Sequence, residues 1–373
     1  MPYRTIDLCA GIGGIRKGFE LTGHFENVLS AEVDKYACLT YEHLFGENPE
    51  NDLTSDEFKE IVNRTEYEIL LAGFPCQTFS AVGNQEGFDD PYKGIIFNHI
   101  AEIIENSRPR AIFLENVENL VRHDKGKTFK IIIKKLESDL NYKIIGIDYD
   151  ENDNILIDHK RFIRNSKYFG VPQNRPRTYI IAFDRNRYNN ALLNDLDDMP
   201  VNNDLHIYND LNDLIEFNAD QRFYMSSGYY NTLIAHRERQ AQNGNGFGYK
   251  IVNSPEIEHP IASTIMATGG SGKERNLVID QQEGIAGTHY PTKRSPLNND
   301  CVRVMTPREW GKLQGFINYA FLNDDGEDQF SFPEGISTQQ KYKQFGNSVT
   351  IPLIETMANF MYTCFQTLND DLL

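Results

Sequence analysis

The chain has 373 residues, 40% hydrophobic and 24% charged, a make-up ordinary for a water-soluble globular protein with room for two domains. No run of about 18 apolar residues occurs, so no transmembrane helix is expected. The five cysteines form no CxxC pair, which speaks against a disulfide framework or a zinc site.

The formal net charge of −17 weighs against extensive phosphate contact, but the charge is uneven. Residues 194–220 carry Asp195, Asp197, Asp198, Asp204, Asp210, Asp213, Glu216 and Asp220 without a Lys or Arg. Cations gather instead at His236-Arg237-Glu238-Arg239 and Lys293-Arg294. An enzyme that touches nucleic acid through one cleft is compatible with this distribution. The start, Met1-Pro2-Tyr3-Arg4, enters a strand pattern at once and lacks the basic and apolar regions of a signal peptide. A cytoplasmic location is expected.

In chain order, residues 3–9 form an apolar strand, and a glycine turn at 11 opens a helix to 20. A strand over 27–33 precedes a helix over 34–45. Strands over 67–72 and 110–115 flank a helix over 95–105. A helix over 128–136 is followed by strands over 142–149 and 178–183. Strands alternating with helices predict an α/β fold, a doubly wound and mostly parallel sheet. Ligands of such sheets bind beyond the carboxyl ends of the strands. The glycine turn, Glu32, Pro75-Cys76 and Glu115-Asn116 all fall there.

After about residue 184 the pattern changes. The acidic stretch is read as surface connection, and 221–300 as a small, irregular, β-rich module with a short strand over 249–252. Helical patterns return over 307–313 and 348–365. The expected division is therefore 1–184 plus 304–373 as one domain and 185–303 as a second, smaller one.

Several segments carry possible chemistry. Asp7-Leu8-Cys9-Ala10-Gly11-Ile12-Gly13-Gly14 lets the backbone approach a ligand closely, although a tight strand-to-helix turn needs glycine in any case. It is neither a dinucleotide fingerprint nor a P-loop. Glu32, at the next strand end, suits both hydroxyls of a ribose, so a nucleoside cofactor without phosphates fits. Phe74-Pro75-Cys76-Gln77 places a cysteine at the ligand edge, as a nucleophile whose thiol needs activation or as a packing residue. Residues 80–94, with Gly83, Gly87, Pro91 and Gly94, read as a loop able to close over a substrate. Glu115-Asn116-Val117 offers a carboxyl for proton transfer or a solvated helix start. Gln173-Asn174-Arg175-Pro176-Arg177 offers two cations for an anion or a base oxygen, or a basic surface turn. Asn347-Ser348 can equally cap a helix.

Taken in order, these segments resemble the DNA (cytosine-5)-methyltransferases of bacterial type II restriction-modification systems. The resemblance spans the whole chain and includes Asp52 and Thr306-Pro307-Arg308-Glu309. It implies the Rossmann-like fold of methyltransferases that use S-adenosyl-L-methionine, with S-adenosylhomocysteine as product. It makes 185–303 a target recognition domain and the remainder the catalytic and cofactor-binding domain. Cys76 is then expected to add to C6 of a cytosine flipped out of duplex DNA. Glu115 supports protonation at N3, and Arg177 contacts O2 with Arg175 nearby. The cofactor set implied is Gly11, Ile12, Gly14, Glu32 at the ribose, Asp52 at the adenine amino group, Leu53, Pro75, Ile96 and Asn347. Cys9 and Val33 depart from the family pattern, which often has an aromatic residue at each position.

For DNA the expected contacts are Ser80, Phe247 filling the gap of the flipped base, Lys250 at a guanine edge, and Thr264 at the phosphate backbone. No metal and no membrane is expected to take part. The enzyme is expected to be a monomer, with a cognate endonuclease acting separately. Two rivals remain: a tRNA cytosine-5 methyltransferase of related sequence, and a non-catalytic DNA-binding regulator. The insertion before the closing motifs speaks against the first. Joint retention of Cys76, Glu115 and Arg177 speaks against the second.

Overall fold

The computed structural model describes residues 1–75, 96–152, 154–216, 218–244, 246, 248–267 and 273–368. Strands β1 (Tyr3–Leu8), β2 (Phe25–Ala31), β3 (Ile69–Gly73) and β4 (Ala111–Val117) pair in the order β2-β1-β3-β4, every pair parallel. Their side chains are mostly buried, as strands covered on both faces require. Between them lie α1 (Gly14–Glu20), α2 (Lys35–Phe45), α3 (Asp56–Arg64) and α4 (Ile96–Ser107). Asp34 and Ser55 start α2 and α3 by accepting backbone amides with their side chains, which satisfies donors that a helix end leaves open.

Beyond β4 come α5 (Lys127–Lys134), β5 (Tyr142–Ile144), β6 (Ile147–Tyr149), β7 (Ile155–Ile157), β8 (Ile163–Asn165), β9 (Gln173–Asn174) and β10 (Pro176–Asp184). β10 lies between β4 and β5 and is antiparallel to both, completing a seven-stranded sheet with β8. A parallel neighbour would need a crossover of a dozen or more residues, and only residues 166–175, without an α-helix, separate β8 from β10. The strand expected over 142–149 is broken at Gly146, whose φ of +88° favours glycine. β6 therefore leaves the main sheet and pairs antiparallel with β7.

By compactness the chain forms two units. The first comprises Met1–Asn165, Pro176–Asn203 and Ile351–Leu373; the second comprises Ser166–Arg175 and Asp204–Thr350. The first unit contains the seven-stranded sheet, α6 (Asn190–Asn194) and the C-terminal helix α10 (Ile351–Thr367). Phe365 of α10 stacks on Tyr3 with ring centroids 4.5 Å apart and meets Phe183 edge-on. Phe19 and Phe113 extend this aromatic core.

The second unit holds α7 (Ser227–Gln242), β11 (Ala262–Ser263), α8 (Pro307–Leu313) and α9 (Thr338–Asn347). β11 pairs parallel with β9, and strand Leu277–Ile279 pairs antiparallel with Val302–Val304. The module read as irregular and β-rich thus contains a 16-residue helix. Tyr230, Leu233 and Ile234, at positions i, i+3 and i+4 on one face, pack it against Met225, Tyr249, Leu277 and Val302. Residues 304–350 group with this unit, whereas the expected division set them with the sheet. The fully buried Arg303 binds both carboxylate oxygens of buried Glu309, at 2.9 and 2.7 Å, and Asp280 at 2.7 Å. Glu309 also closes a capping box with Thr306 at the start of α8. These bonds tie α8 to the Val302–Val304 strand.

Candidate active site

The strand registers assemble the site in the first unit. Leu8 aligns with Ala31 and Ala72, and Gly73 with Glu115. The segments after β1, β2, β3 and β4 therefore leave the sheet at one edge. β10 enters at that edge, where Arg177 aligns with Val117.

After β1 the chain turns at Gly11, with φ +57°, and a Cβ there would meet nothing within 4 Å. The turn is thus open above its backbone. The Gly11 amide donates to Glu32 Oε2 at 2.7 Å, and the Val33 and Asp34 amides donate to Oε1 at 2.8 Å. Three amides fix this carboxylate beside the turn. Ile12 is buried, and Gly14 opens α1. Asp52 accepts from the Thr54 amide at 2.9 Å and hydroxyl at 2.7 Å, which holds its exposed carboxyl below the usual range. Leu53 is buried, Ile96 is half-buried at the start of α4, and Pro75 is exposed. Open backbone, a fixed carboxylate at the second strand end and an ionised carboxylate further on fit a nucleoside without phosphates. At the two positions that depart from the family pattern, Cys9 takes a left-handed φ of +57° and Val33 is 70% exposed.

The opposite side of the edge carries Glu115 and Arg177. Glu115 Oε1 lies 3.3 Å from Arg177 Nε, and both side chains are largely shielded from water. Gly73 faces Glu115 across the β3–β4 ladder; a Cβ there would stand 3.6 Å from Glu115 Oε2. Buried Asn116 donates to the Phe74 carbonyl at 2.8 Å and accepts from the Val117 amide at 2.8 Å. It anchors the residue two before Cys76. The sequence showed Asn116 beside Glu115 but not this bond, which depends on pairing across strands far apart in the chain. Asp7 was also overlooked as a distinct group. It is fully buried in β1, and burial pushes its carboxyl up to about 7 against the attraction of Arg16.

Cys76 and Ser80, with the expected closing loop, and Phe247 lie outside the described residues. The described cysteines are unpromising nucleophiles. Cys38, Cys301 and Cys364 are buried and Cys9 is partly so. Burial raises all four thiols, Cys38 and Cys364 to about 12.

Four expected site residues belong to the second unit. Asn347 is exposed at the end of α9. Lys250 is exposed, and its amide donates to the Glu274 carbonyl. The Thr264 hydroxyl donates to the Asn174 carbonyl at 2.7 Å. Arg175, read together with Arg177 as a base contact, is 2% exposed. Its guanidinium donates to the carbonyls of Ile265 at 2.8 Å, Gly346 at 3.0 Å and Ser348 at 2.5 Å. Among the described residues no group of three or more His, Cys, Asp or Glu side chains is placed to hold a metal, and no helix is long and apolar enough to cross a membrane.

Residues 3–363 match the family model described as C-5 cytosine-specific DNA methylase. The chain is 38% identical to the type II methyltransferase M.HpaII of Haemophilus parainfluenzae, covering 95% of this chain and 87% of that protein. It is 36% identical to M.SsoII of Shigella sonnei, covering 95% and 79%, and 34% identical to M1.ScrFI of Lactococcus lactis subsp. cremoris, covering 96% and 78%. Among solved structures, a mutant DNMT2 from Spodoptera frugiperda aligns with a TM-score of 0.64 at 17% identity, over 96% of this chain and 99% of that one. The Dnmt2 methyltransferase of S. pombe aligns with a TM-score of 0.61 at 15% identity, over 99% and 100%; at such identities the likeness speaks for the fold alone. With its open glycine turn, its fixed Glu32 and its Glu115–Arg177 pair at one sheet edge, the chain belongs to the C-5 cytosine-specific DNA methylase family.

Proposed function

We propose that the protein methylates C5 of one cytosine within a short duplex DNA sequence, using S-adenosyl-L-methionine. Like the relatives named type II methyltransferases, it would protect host DNA within a restriction-modification system, beside a separate endonuclease. The Glu115–Arg177 pair, at the edge where the chain runs through Pro75 into Cys76, carries this reading.

C5 of cytosine is too weak a nucleophile to attack a methyl group unaided. Addition of the Cys76 thiolate to C6 moves electron density onto C5. Glu115 donates a proton toward N3, so that charge does not accumulate on the ring. Arg177 orients the base through O2 and holds Glu115 in place. Loss of the C5 proton then expels the Cys76 thiolate and restores the aromatic ring. When bound, S-adenosylmethionine supplies an electrophilic methyl group. Gly11, Ile12, Gly14, Glu32, Asp52, Leu53, Pro75, Ile96 and Asn347 would hold it, with Glu32 at the ribose hydroxyls and Asp52 at the adenine amino group. The raised thiols of the other cysteines support the choice of Cys76.

Arg175 acts differently from Arg177. It positions the segments around Ile265 and Gly346 through their carbonyls rather than touching the base. Residues 185–303 would read the target, with Lys250, Thr264, Phe247 and Ser80 at the DNA. Bisulfite sequencing of duplex DNA and of tRNA, each incubated with enzyme and donor, tests this function. One cytosine in a recurring short duplex sequence should resist conversion. Protection in tRNA alone, or none at all, would overturn the proposal.

A further inference from the structure

The chain carries 54 acidic against 37 basic residues, yet one cavity of the second unit is cationic. It measures about 570 Å³, and no Asp or Glu lines it among the described residues. Arg222, Lys293 and Arg294 supply its cations and Ser226 and Ser295 hydroxyls, beside an apolar wall that includes Met225. Lys293 is half-buried; its ammonium donates to the Arg222 carbonyl at 3.0 Å, and among the described residues no carboxylate pairs with it. Arg294 is exposed and makes no ion pair or hydrogen bond with any described residue. Arg222 reaches a carboxylate only at 3.8 Å, in Asp220. The Ser226 side chain precedes α7 without making the capping bond open to it. The partly desolvated Lys293 ammonium, beside the unpaired Arg294, would gain from an anion bound in the cavity.

The cavity's position narrows that anion. Tyr229 lines it and donates to Glu274 Oε1 at 2.9 Å. The Glu274 carbonyl accepts the Lys250 amide at 2.8 Å. Through Tyr229 and Glu274 the cavity is therefore linked to the segment that carries Lys250, read above as a recognition loop. We propose that this cavity seats one backbone phosphate of the duplex whose bases those loops read. The proposal rests on the reading of the protein as a DNA methyltransferase. Lys293 and Arg294 pair with the phosphate oxygens, and the Ser226 hydroxyl donates to one of them. Such a contact fixes register on the duplex and carries no sequence information.

The test is duplex binding by the full chain across about 50 to 200 mM salt, comparing wild type with the double variant Lys293→Gln/Arg294→Gln. Loss of one phosphate contact should lower the slope of log K against log salt by about 1 and weaken cognate and unrelated duplexes alike. The methylated sequence should not change, and Lys293→Arg/Arg294→Lys should keep the wild-type slope. Should the double variant fail to fold, Arg294→Gln alone applies the same test at an exposed side chain. Unchanged affinity and slope, with the wild type still methylating duplex DNA, would overturn the phosphate site and leave the enzymatic assignment intact. A wild type that neither binds nor methylates duplex DNA would overturn both.

Discussion

Arg175 and Arg177 lie two residues apart and were expected to serve one base, yet their surroundings predict different phenotypes. Arg175→Ala removes a buried guanidinium that donates to three carbonyls. Hydrogen bonds from a charged donor contribute about 1.5–3 kcal/mol each, and a buried acceptor left unmet costs about 1–3 kcal/mol. Partial relaxation and water entry reduce the sum, leaving a loss of about 3–5 kcal/mol. That is a large fraction of the roughly 5–15 kcal/mol that keeps a domain folded. At about 2–4 °C per kcal/mol for a unit of this size, the second unit's melting midpoint should fall by roughly 6–20 °C. Arg177→Ala, whose side chain pairs with Glu115 at the sheet edge, should also cost stability by stranding Glu115, but unlike Arg175→Ala it should abolish most of the methyl transfer rate of the folded protein. Calorimetric melting of both variants, with single-turnover methylation below their midpoints, separates the two roles. Wild-type melting of Arg175→Ala together with a lost chemical step would refute the reasoning and put this guanidinium on the base.

Two further substitutions probe the other half of the site. Glu32→Gln leaves one oxygen where two accept amides from Gly11, Val33 and Asp34, so one turn must face an amide donor instead. S-adenosylhomocysteine affinity measured by calorimetry should fall about 10- to 100-fold; unchanged affinity would remove Glu32 from the cofactor site. Asp7 holds its proton up to about pH 7 in the folded chain, against 3.8 as the ordinary value. The folded state thus binds more protons than the unfolded state between those limits. Stability from this group is full below about pH 4, declines as pH rises, and is lost above about pH 7. The loss amounts to about 4 kcal/mol. Asp7→Asn should therefore gain stability over the wild type increasingly from pH 4 to pH 7. Parallel stability–pH curves for the two proteins would contradict this.

How far the sequence carried depended on the range of the interactions involved. The first strands, the turn at Gly11 and the placement of Glu32 and Glu115 were legible because each follows from a local pattern: an apolar run, a glycine, an acid at a strand end. The direction of β10 was not, because it depends on the absence of a crossover between β8 and β10 and on which edge remains unpaired. Gly146 carried a readable signal for the break between β5 and β6, but a lone glycine in an apolar run also suits a continuous strand. α7 was missed although Tyr230, Leu233 and Ile234 have helical spacing, because the surrounding Gly, Asn and Tyr suggested turns. Arg175 and Arg177 look equivalent as a motif; only the carbonyls brought to Arg175 from about 90 and 170 residues away tell them apart.

The nucleophile is the central claim, and trapping tests it most directly. A duplex carrying 5-fluorocytosine at the methylated position allows thiolate addition at C6 and methylation at C5, but fluorine cannot depart as a cation to release the enzyme. After proteolysis, mass spectrometry should place the methylated base on the peptide containing Cys76, and Cys76→Ser should give no adduct. An adduct on another residue, or none from an enzyme that methylates the ordinary duplex, would contradict the assignment of Cys76.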